Sequence, residues 1–217
     1  MTSISKLTTC ILLGAVTFTS TTAFGQDLPD DIRPDSHARL PYVKRDNLNT
    51  EDQAIFGMLP GQLPSGEVAG PLAWPAYNMG VARALLDLHN AAVATEAFGD
   101  YERELATLIA CRFTNYSLEW NTHVNSALRN GVPESVINVI KYNQSLHSVP
   151  EKDAAIIHFG RQLLKDRKVD SATFANVQEL FGDAGAMDLV AIMVTYIASG
   201  YYAIAVDEHM TNGQNLE

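Results

Sequence analysis

Glu119 and His123 are the two residues of this sequence whose types and spacing best fit proton-transfer chemistry. They stand four positions apart in the segment SLEWNTHVNSALR, so on a helix their side chains lie on one face about one turn apart. Trp120 and Val124 beside them supply apolar surroundings. A carboxylate orients an imidazole and favours its charged form, whereas burial favours the neutral ring. The pair therefore predicts a general acid–base site, with an ordinary surface ion pair as the alternative.

A second carboxylate and a thiol precede this pair in the segment ERELATLIACRFT. Glu104 and Cys111 are seven residues apart, which places them two turns apart on the same face of a helix. This helix is predicted to end at a break near Thr114-Asn115, where the next one starts. Its apolar stripe consists of Leu105, Leu108, Ile109 and Phe113. Two neighbouring helices are therefore predicted to bring both carboxylates and the imidazole together.

Apolar periodicity along the rest of the chain predicts an all-α domain. No segment shows the period-two alternation bounded by turn residues that marks a strand. Proline and glycine punctuate residues 59–75, which predicts a long loop. In the predicted helix 78–98, His89 stands exposed or at the edge of an apolar face formed by Val81, Ala84, Leu85 and Leu88. Further helices are predicted at 50–56 (opening with a capping box at Thr50), from 133 onward, and at 150–165, 171–181 and 186–207.

The last predicted helix contains an uncharged run from Leu189 to Val206 that is long enough to span a membrane. Threonine, serine, glycine and tyrosine residues make this run only mildly hydrophobic, and the rest of the mature chain offers no second span. A helix that is apolar on all sides can also be buried in a core or in an oligomer interface. We therefore expect this helix to be buried and the mature chain to lack a membrane span.

The amino terminus has the pattern of a cleavable signal peptide. Lys6 supplies the positive charge, an apolar run extends from Cys10 to Phe18, and Ala23-Phe24-Gly25 fits a small-x-small cleavage site. We therefore expect a periplasmic or secreted protein. The predicted segments are a signal peptide at 1–25, an extended arm at 26–49 that is suited to wrapping a neighbouring subunit, one helical domain at 50–212 and a tail at 213–217.

Charge and cysteine content limit the possible partners. The formal net charge of −10 argues against nucleic acid or an anionic membrane surface. Removal of residues 1–25 would leave Cys111 as the only cysteine, so no disulfide can form within the mature chain. A lone cysteine on an apolar helix face is usually an inert core residue. A small molecule is the predicted partner, and Arg103 and Arg112 are the nearest groups that could hold an anionic one.

The run RELATLIACRFTNYSLEWNTHVNSALRNGV resembles the core motif of the carboxymuconolactone decarboxylase family, which also contains the AhpD-like alkylhydroperoxidases. The matching pieces are Arg103-Glu104-Leu105-Ala106, Glu119-Trp120-x-x-His123 and Ala127-Leu128-x-x-Gly131. A weaker likeness extends from about Arg39 to Asp207. The resemblance implies an AhpD-like orthogonal bundle of about seven to eight helices that assembles into trimers or hexamers.

The same resemblance bears on the reaction. The redox branch of the family uses a Cys-x-x-Cys pair before its final histidine, and the matching positions here are Tyr116 and Glu119. Cys111 alone cannot cycle through a disulfide within one chain, so hydroperoxide reduction is not implied. The decarboxylase branch resembles this sequence better and needs no metal or organic cofactor. By this resemblance His123 carries the proton, Glu119 holds the ring, and Glu104 positions the substrate or passes the proton on.

Further residues complete the predicted site as substrate-binding groups: Trp74, Cys111, Arg112, Tyr116 and Trp120. No metal site is predicted, because the single Glu-x-x-x-His spacing differs from the paired Glu-x-x-His motifs of di-iron bundles. The predicted reaction is decarboxylation, isomerisation or lactone opening on a small organic acid or lactone. Two alternatives stay open: a non-catalytic oligomeric protein that binds a small ligand in the same pocket, and a peroxidase-related redox protein that uses Cys111.

Overall fold

The structure, a computed structural model, describes residues 28–210 and Leu216. This part of the chain contains no strand and only two isolated antiparallel bridges, so the all-α prediction is confirmed. A π-helical turn, Gln162–Asp166, follows the sixth helix, and short 3-10 turns occupy Arg45–Asn47 and Pro75–Tyr77. The helices are α1 (Thr50–Phe56), α2 (Met79–Val93), α3 (Asp100–Thr114), α4 (Ser117–Arg129), α5 (Glu134–Lys141), α6 (Glu151–Arg161) and α7 (Ser171–Ala205).

The turn between α3 and α4 sets the position of the predicted site. Asn115 adopts the left-handed conformation, with φ 53° and ψ 31°, and its N–H bonds to the carbonyls of Cys111 and Arg112. Asparagine tolerates this conformation better than most residues, so it ends a helix in a tight turn. α4 begins two residues later, at Ser117, and packs back against α3. The predicted break at Thr114-Asn115 is therefore confirmed, and it places the two helices side by side.

α3 forms the centre of the core and contacts α4, α5, α6 and α7. Its inward residues Leu105, Ala106, Leu108 and Ala110 are completely buried. Full burial of a leucine side chain contributes roughly 1.5 to 3 kcal/mol, so this helix is held by hydrophobic packing along most of its length. A carboxylate on the same helix is consequently fixed in position by the core beneath it.

Some predicted boundaries differ from the structure. Asn49 caps α1 by accepting the Asp52 N–H at 3.0 Å, so the first residue of the capping motif is Asn49 and not Thr50. α2 ends at Val93 rather than near 98, because Thr95 turns back to bond the Ala97 N–H and the Asp188 carboxylate. The predicted break between the helices 171–181 and 186–207, in contrast, is present: α7 consists of two helices joined at a kink, where Gly182 has the non-helical angles φ 74° and ψ 176°.

α7 is long and apolar enough to cross a membrane by length and composition, and no other helix in the described part of the chain meets both criteria. One side of its second half is packed against the bundle, and the other carries exposed apolar residues. The packed residues are Leu189, Ile192, Met193, Tyr196, Ser199, Gly200 and Ala203; the exposed ones are Met187, Val194, Tyr201 and Ile204.

The arm before α1 packs against the end of α7 in its own chain. The Arg39 N–H bonds to the Val206 carbonyl at 2.8 Å, and the His209 N–H bonds to the His37 carbonyl at 2.7 Å. Ala38 between them is completely buried. The arm is therefore held against its own chain, and its contact with a neighbouring subunit remains a prediction. The predicted signal peptide and most of the predicted tail lie outside the described residues.

Candidate functional site

His123 lies between two carboxylates that come from different helices. Its Nδ1 atom is 2.8 Å from Oε2 of Glu104 on α3, and its Nε2 atom is 3.3 Å from Oε2 of Glu119 on its own helix. The three side chains are 17%, 13% and 8% exposed, respectively. The predicted juxtaposition of Glu104, Glu119 and His123 is thus present, and both ring nitrogens are engaged.

The two carboxylates determine the charge of the ring. Burial is the largest single influence on His123 and disfavours its charged form, but the hydrogen bonds and charges of Glu104 and Glu119 together outweigh it and raise its pKa to about 9. At neutral pH the ring is therefore an imidazolium that donates from both nitrogens. The arrangement holds one transferable proton between two carboxylate acceptors.

His123 and Glu119 open onto a cavity of about 440 Å³. One wall comes from α2 and the loop before it, and the other comes from α4 and the second half of α7. The lining is mainly apolar, with hydroxyl and imidazole groups between the hydrocarbon side chains. The cavity-lining residues that contribute most of this surface are Pro60, Pro71, Leu72, Leu85, Leu86, His89, Thr122, Thr195, Tyr196 and Ser199. Glu104 does not line the cavity, so it acts from behind the ring.

Tyr196 and His89 are cavity residues that the sequence did not identify. The Tyr196 ring meets the His123 ring edge-on with centroids 4.9 Å apart, and it meets the His89 ring edge-on at 5.9 Å. Burial, as the largest influence, lowers the pKa of His89. The signal that could have identified His89 is its spacing from Leu85 and Leu86, four and three positions earlier, which places it on their face of α2.

Glu119 also lines a second, more open pocket of about 700 Å³ at the junction of the arm, α4 and the end of α7. Here the Tyr116 hydroxyl donates to the Glu208 carboxylate at 2.7 Å. Burial, as the main cause, raises the pKa of both of these groups. Glu208 was not predicted. It comes two residues after Val206, the last residue of the long apolar run of α7.

None of the five predicted substrate-binding residues lines the His123 cavity. Cys111 and Trp120 are core residues, 1% and 4% exposed, and line neither pocket. Trp74 is also buried and stacks on Tyr42 with centroids 5.3 Å apart. Arg112 donates to the Lys141 carbonyl at 2.7 Å and lines a separate cavity of about 280 Å³. Only Tyr116 lines a pocket shared with the predicted catalytic residues.

The donor geometry also bears on metal binding. Among residues 28–210 and 216, no group of three or more His, Cys, Asp and Glu side chains is arranged to hold a metal ion. In the Glu104–His123–Glu119 group, the two carboxylates contact opposite nitrogens of one ring. They are consequently separated by the imidazole and do not converge on a common point.

Two solved structures share this fold. The AhpD core of an uncharacterised peroxidase-related protein from Ralstonia eutropha JMP134 matches with a TM-score of 0.62 and 20% sequence identity, over 81% of this chain and 93% of that chain. A cysteine-to-alanine variant of the debrominase Bmp8, in complex with 2,3,4-tribromopyrrole, matches with a TM-score of 0.59 and 15% identity, over 77% of this chain and 89% of that chain.

No family model and no curated protein sequence matches this chain. The two structural likenesses lie at low sequence identity, so they bear on architecture and leave the reaction open. Together with the described helices, they establish that this chain has the AhpD-like helical fold, as its sequence motif implied.

Proposed function

We propose that this protein is an enzyme that moves a proton on a small organic molecule held in the 440 Å³ cavity. The observation that carries this proposal is the position of the His123 ring, fixed between two carboxylates at the wall of an apolar cavity. A proton held near neutral pH beside a water-poor pocket is what general acid–base catalysis requires. The bound tribromopyrrole of the debrominase with the same fold supports a small ring compound as occupant.

The three groups have different roles in this proposal. Glu119 lines both cavities, so it is the carboxylate that exchanges a proton with the substrate. His123 supplies that proton from Nε2 or takes it back. Glu104, which lies outside the cavity, keeps Nδ1 protonated and the ring oriented. It is therefore a positioning residue here, instead of the substrate-positioning group that the sequence implied.

Decarboxylation, isomerisation and lactone opening remain possible reactions for this apparatus. After loss of CO₂, the carbanion takes the proton that passes from Nε2 through Glu119. In an isomerisation, Glu119 removes a proton from one carbon and returns it to another. In a lactone opening, it removes a proton from the attacking water, and the departing alkoxide takes the proton of Nε2. Each route uses Glu119 as the carboxylate that transfers a proton.

Turnover of a panel of lactones, keto compounds and hydroxylated or N-heterocyclic rings, followed by mass spectrometry in D₂O, tests this proposal. Deuterium at carbon is the expected signature of decarboxylation or isomerisation, and a product heavier by one water is the expected signature of lactone opening. His123→Ala should reduce turnover by about 10²- to 10⁴-fold, the usual contribution of a general acid or base. The matched control is His147→Ala, at an exposed position away from the cavity. Equal turnover in both variants would overturn the assignment.

One observation favours a second candidate function, a non-catalytic binding protein. Both nitrogens of His123 already contact carboxylates of the protein. Glu104, Glu119 and His123 could therefore also serve as a fixed part of the lining of a ligand pocket. In that case His123→Ala should largely preserve ligand affinity, and no substrate in the panel should incorporate deuterium. A variant that loses turnover while it still binds ligand excludes this alternative.

The position of Cys111 does not favour the peroxidase-related alternative. The thiol is 1% exposed, and burial, as the largest influence, raises its pKa well above the usual value, so the reactive thiolate is disfavoured. Labelling of the native protein by a thiol reagent should therefore be slow and should accelerate on unfolding. Rapid labelling of the native state would revive the redox alternative.

Export and self-association remain predictions. Cell fractionation and the mass of the mature chain would test cleavage after residue 25. Light scattering of the purified protein would test the trimer or hexamer. The exposed apolar residues on the outer side of α7 are consistent with burial in an oligomer.

A further inference from the structure

The charged groups of the apolar cavity are poorly suited to an anionic ligand. Within the described residues, no lysine or arginine lines this cavity. With both carboxyls ionised and His123 protonated, Glu104, Glu119 and the ring carry a net charge of −1. Both N–H groups of the imidazolium already point at carboxylates. A ligand carboxylate would therefore lose its hydration without gaining a cationic donor, which is unfavourable in an apolar site.

The serine and threonine hydroxyl groups of the cavity are acceptors toward a ligand. Each donates its single proton to a carbonyl of its own helix: Thr122 to Leu118 at 2.9 Å, Thr195 to Ala191 at 2.9 Å and Ser199 to Tyr196 at 3.1 Å. A hydroxyl has one proton and two lone pairs, so each of these oxygens retains acceptor capacity only. A ligand hydroxyl or N–H can donate to them, whereas a carbonyl or ether oxygen cannot.

His89 completes the polar lining from the opposite wall. Within residues 28–210 and 216, neither of its ring nitrogens has a hydrogen-bond partner, and its recorded contact is the edge of Tyr196. Burial lowers its pKa, so the ring is neutral at pH 7. A neutral imidazole offers one acceptor and one donor nitrogen. One ring nitrogen can therefore accept a hydrogen bond from the same kind of ligand group, and the ring stays neutral.

The remaining surface is hydrocarbon from Pro60, Pro71, Leu72, Leu85 and Leu86. The volume of about 440 Å³ falls within the range of roughly 300 to 1,000 Å³ that is usual for small-molecule sites. We propose that this cavity binds an uncharged, largely apolar molecule that donates a hydrogen bond through a hydroxyl or ring N–H group, and that it rejects carboxylates, so that isomerisation or lactone opening of a neutral compound is favoured over decarboxylation. The inference rests on the proposed function only in assigning this cavity to the reacting molecule.

Three probes of similar size test the ligand class against the full chain at pH 7. 4-Methylphenol is neutral and donates a hydrogen bond, 4-methylanisole is neutral without a donor, and 4-methylbenzoate is an anion. By calorimetry or ligand-observed NMR, the phenol should bind at least about tenfold more tightly than the benzoate and severalfold more tightly than the ether. Benzoate binding as tight as that of the phenol, an ether equal to the phenol, or no phenol binding at millimolar concentration would each overturn the proposal.

Thr195→Val connects this selectivity to the cavity. Valine keeps the side-chain shape but removes the acceptor oxygen, and the hydroxyl bonds only within α7. Phenol affinity should fall about three- to tenfold while ether affinity is unchanged. Thr50→Val, at an exposed position on α1, is the matched control and should alter neither. Equal loss for the phenol and the ether in Thr195→Val, or loss for the phenol in the control, would contradict the assignment.

These measurements separate the ligand class from the proposed chemistry. Selective binding of the phenol without turnover of any compound in the panel would overturn the enzymatic proposal and support the ligand class. Deuterium incorporation into a carboxylate substrate that binds in preference to neutral rings would support the enzymatic proposal and overturn the ligand class.

Discussion

His123 and His89 line the same cavity and meet the same tyrosine ring, yet they differ in charge. Their ring centroids lie 4.9 and 5.9 Å from that of Tyr196, and both side chains are removed from bulk water by the same cavity walls. Burial opposes the charge of each ring. His123 overcomes this opposition through two carboxylates in direct contact, whereas His89 has none. The partners, and not the cavity, therefore decide which ring holds a proton.

This difference assigns complementary tasks to the two rings. The charged ring on α4 stores the proton that the proposed chemistry uses. The neutral ring on α2 provides hydrogen-bonding capacity on the other wall without repelling that proton. The turn at Asn115 produces the difference, because it folds α4 back so that Glu104 reaches Nδ1 of His123. No carboxylate is placed in this way beside His89.

Of the substitutions that test this difference between the two histidines, Glu104→Gln should have the largest effect on turnover. The amide can still accept from Nδ1 but carries no charge, so the pKa of His123 should fall and the ring should lose its proton at lower pH. Turnover at pH 8 should drop by at least about tenfold, and the alkaline limb of the pH–rate profile should move to lower pH.

Glu102→Gln is the matched control for this experiment. Glu102 lies on the same helix, but its carboxylate accepts from the Gly99 N–H at 3.1 Å and does not contact His123. It should leave the pH–rate profile unchanged. A Glu104→Gln variant with reduced turnover and an unshifted profile would indicate a purely structural role for Glu104 and would break the comparison between the two histidines.

The stability of the protein should decrease between about pH 6.5 and 9. The pKa of His123 is about 9 in the folded state, above the model-compound value of 6.5, so the folded state binds this proton more tightly than the unfolded chain. The resulting stabilisation is complete below pH 6.5 and is lost as pH rises through 9, by up to about 3 kcal/mol. Chemical denaturation at intervals across this range measures it.

His123→Gln should flatten that part of the stability profile, because the titrating ring is gone. The remaining slope would come from other groups. If stability still fell as steeply between pH 6.5 and 9 in this variant, His123 would not be the group that titrates in this range. Glu104 and Glu119 would then not raise the pKa of His123 as proposed.

Much of this arrangement follows from local sequence rules. Glu119 and His123 share a face because they are four residues apart, and the Asn115 turn follows a helix whose apolar stripe ends there. Those two features alone place Glu104 within reach of the ring. The pieces Arg103-Glu104-Leu105-Ala106 and Glu119-Trp120-x-x-His123 also indicated the helical fold through their resemblance to the family motif, and they lie on α3 and α4.

Other features depend on tertiary packing and were assigned incorrectly. The inward face of α2 is rotated by about one position from the predicted one: Ala82 is completely buried, and Leu88 is exposed. This rotation turns His89 into the cavity, whereas the sequence placed it at the edge of the apolar face. Arg112 was predicted to face the substrate, but its long side chain turns to the Lys141 carbonyl, a contact between residues 29 positions apart that no local rule supplies.

His89→Gln should have the smallest effect, and it sharpens the comparison. The folded-state pKa of His89 is lowered, mainly by burial, with Glu119 opposing this shift and His123 adding to it. Its neutral form therefore stabilises the protein above pH 6.5, and this contribution is lost as pH falls below that value. Glutamine does not titrate, so the variant should lose less stability on acidification while the slope between pH 6.5 and 9 stays as in the wild type. Thermal unfolding at pH 5, 7 and 9 separates the change in stability below pH 7 from the change above it. If His89→Gln altered stability only above pH 7, the two rings would titrate as one unit, which would contradict their separate roles.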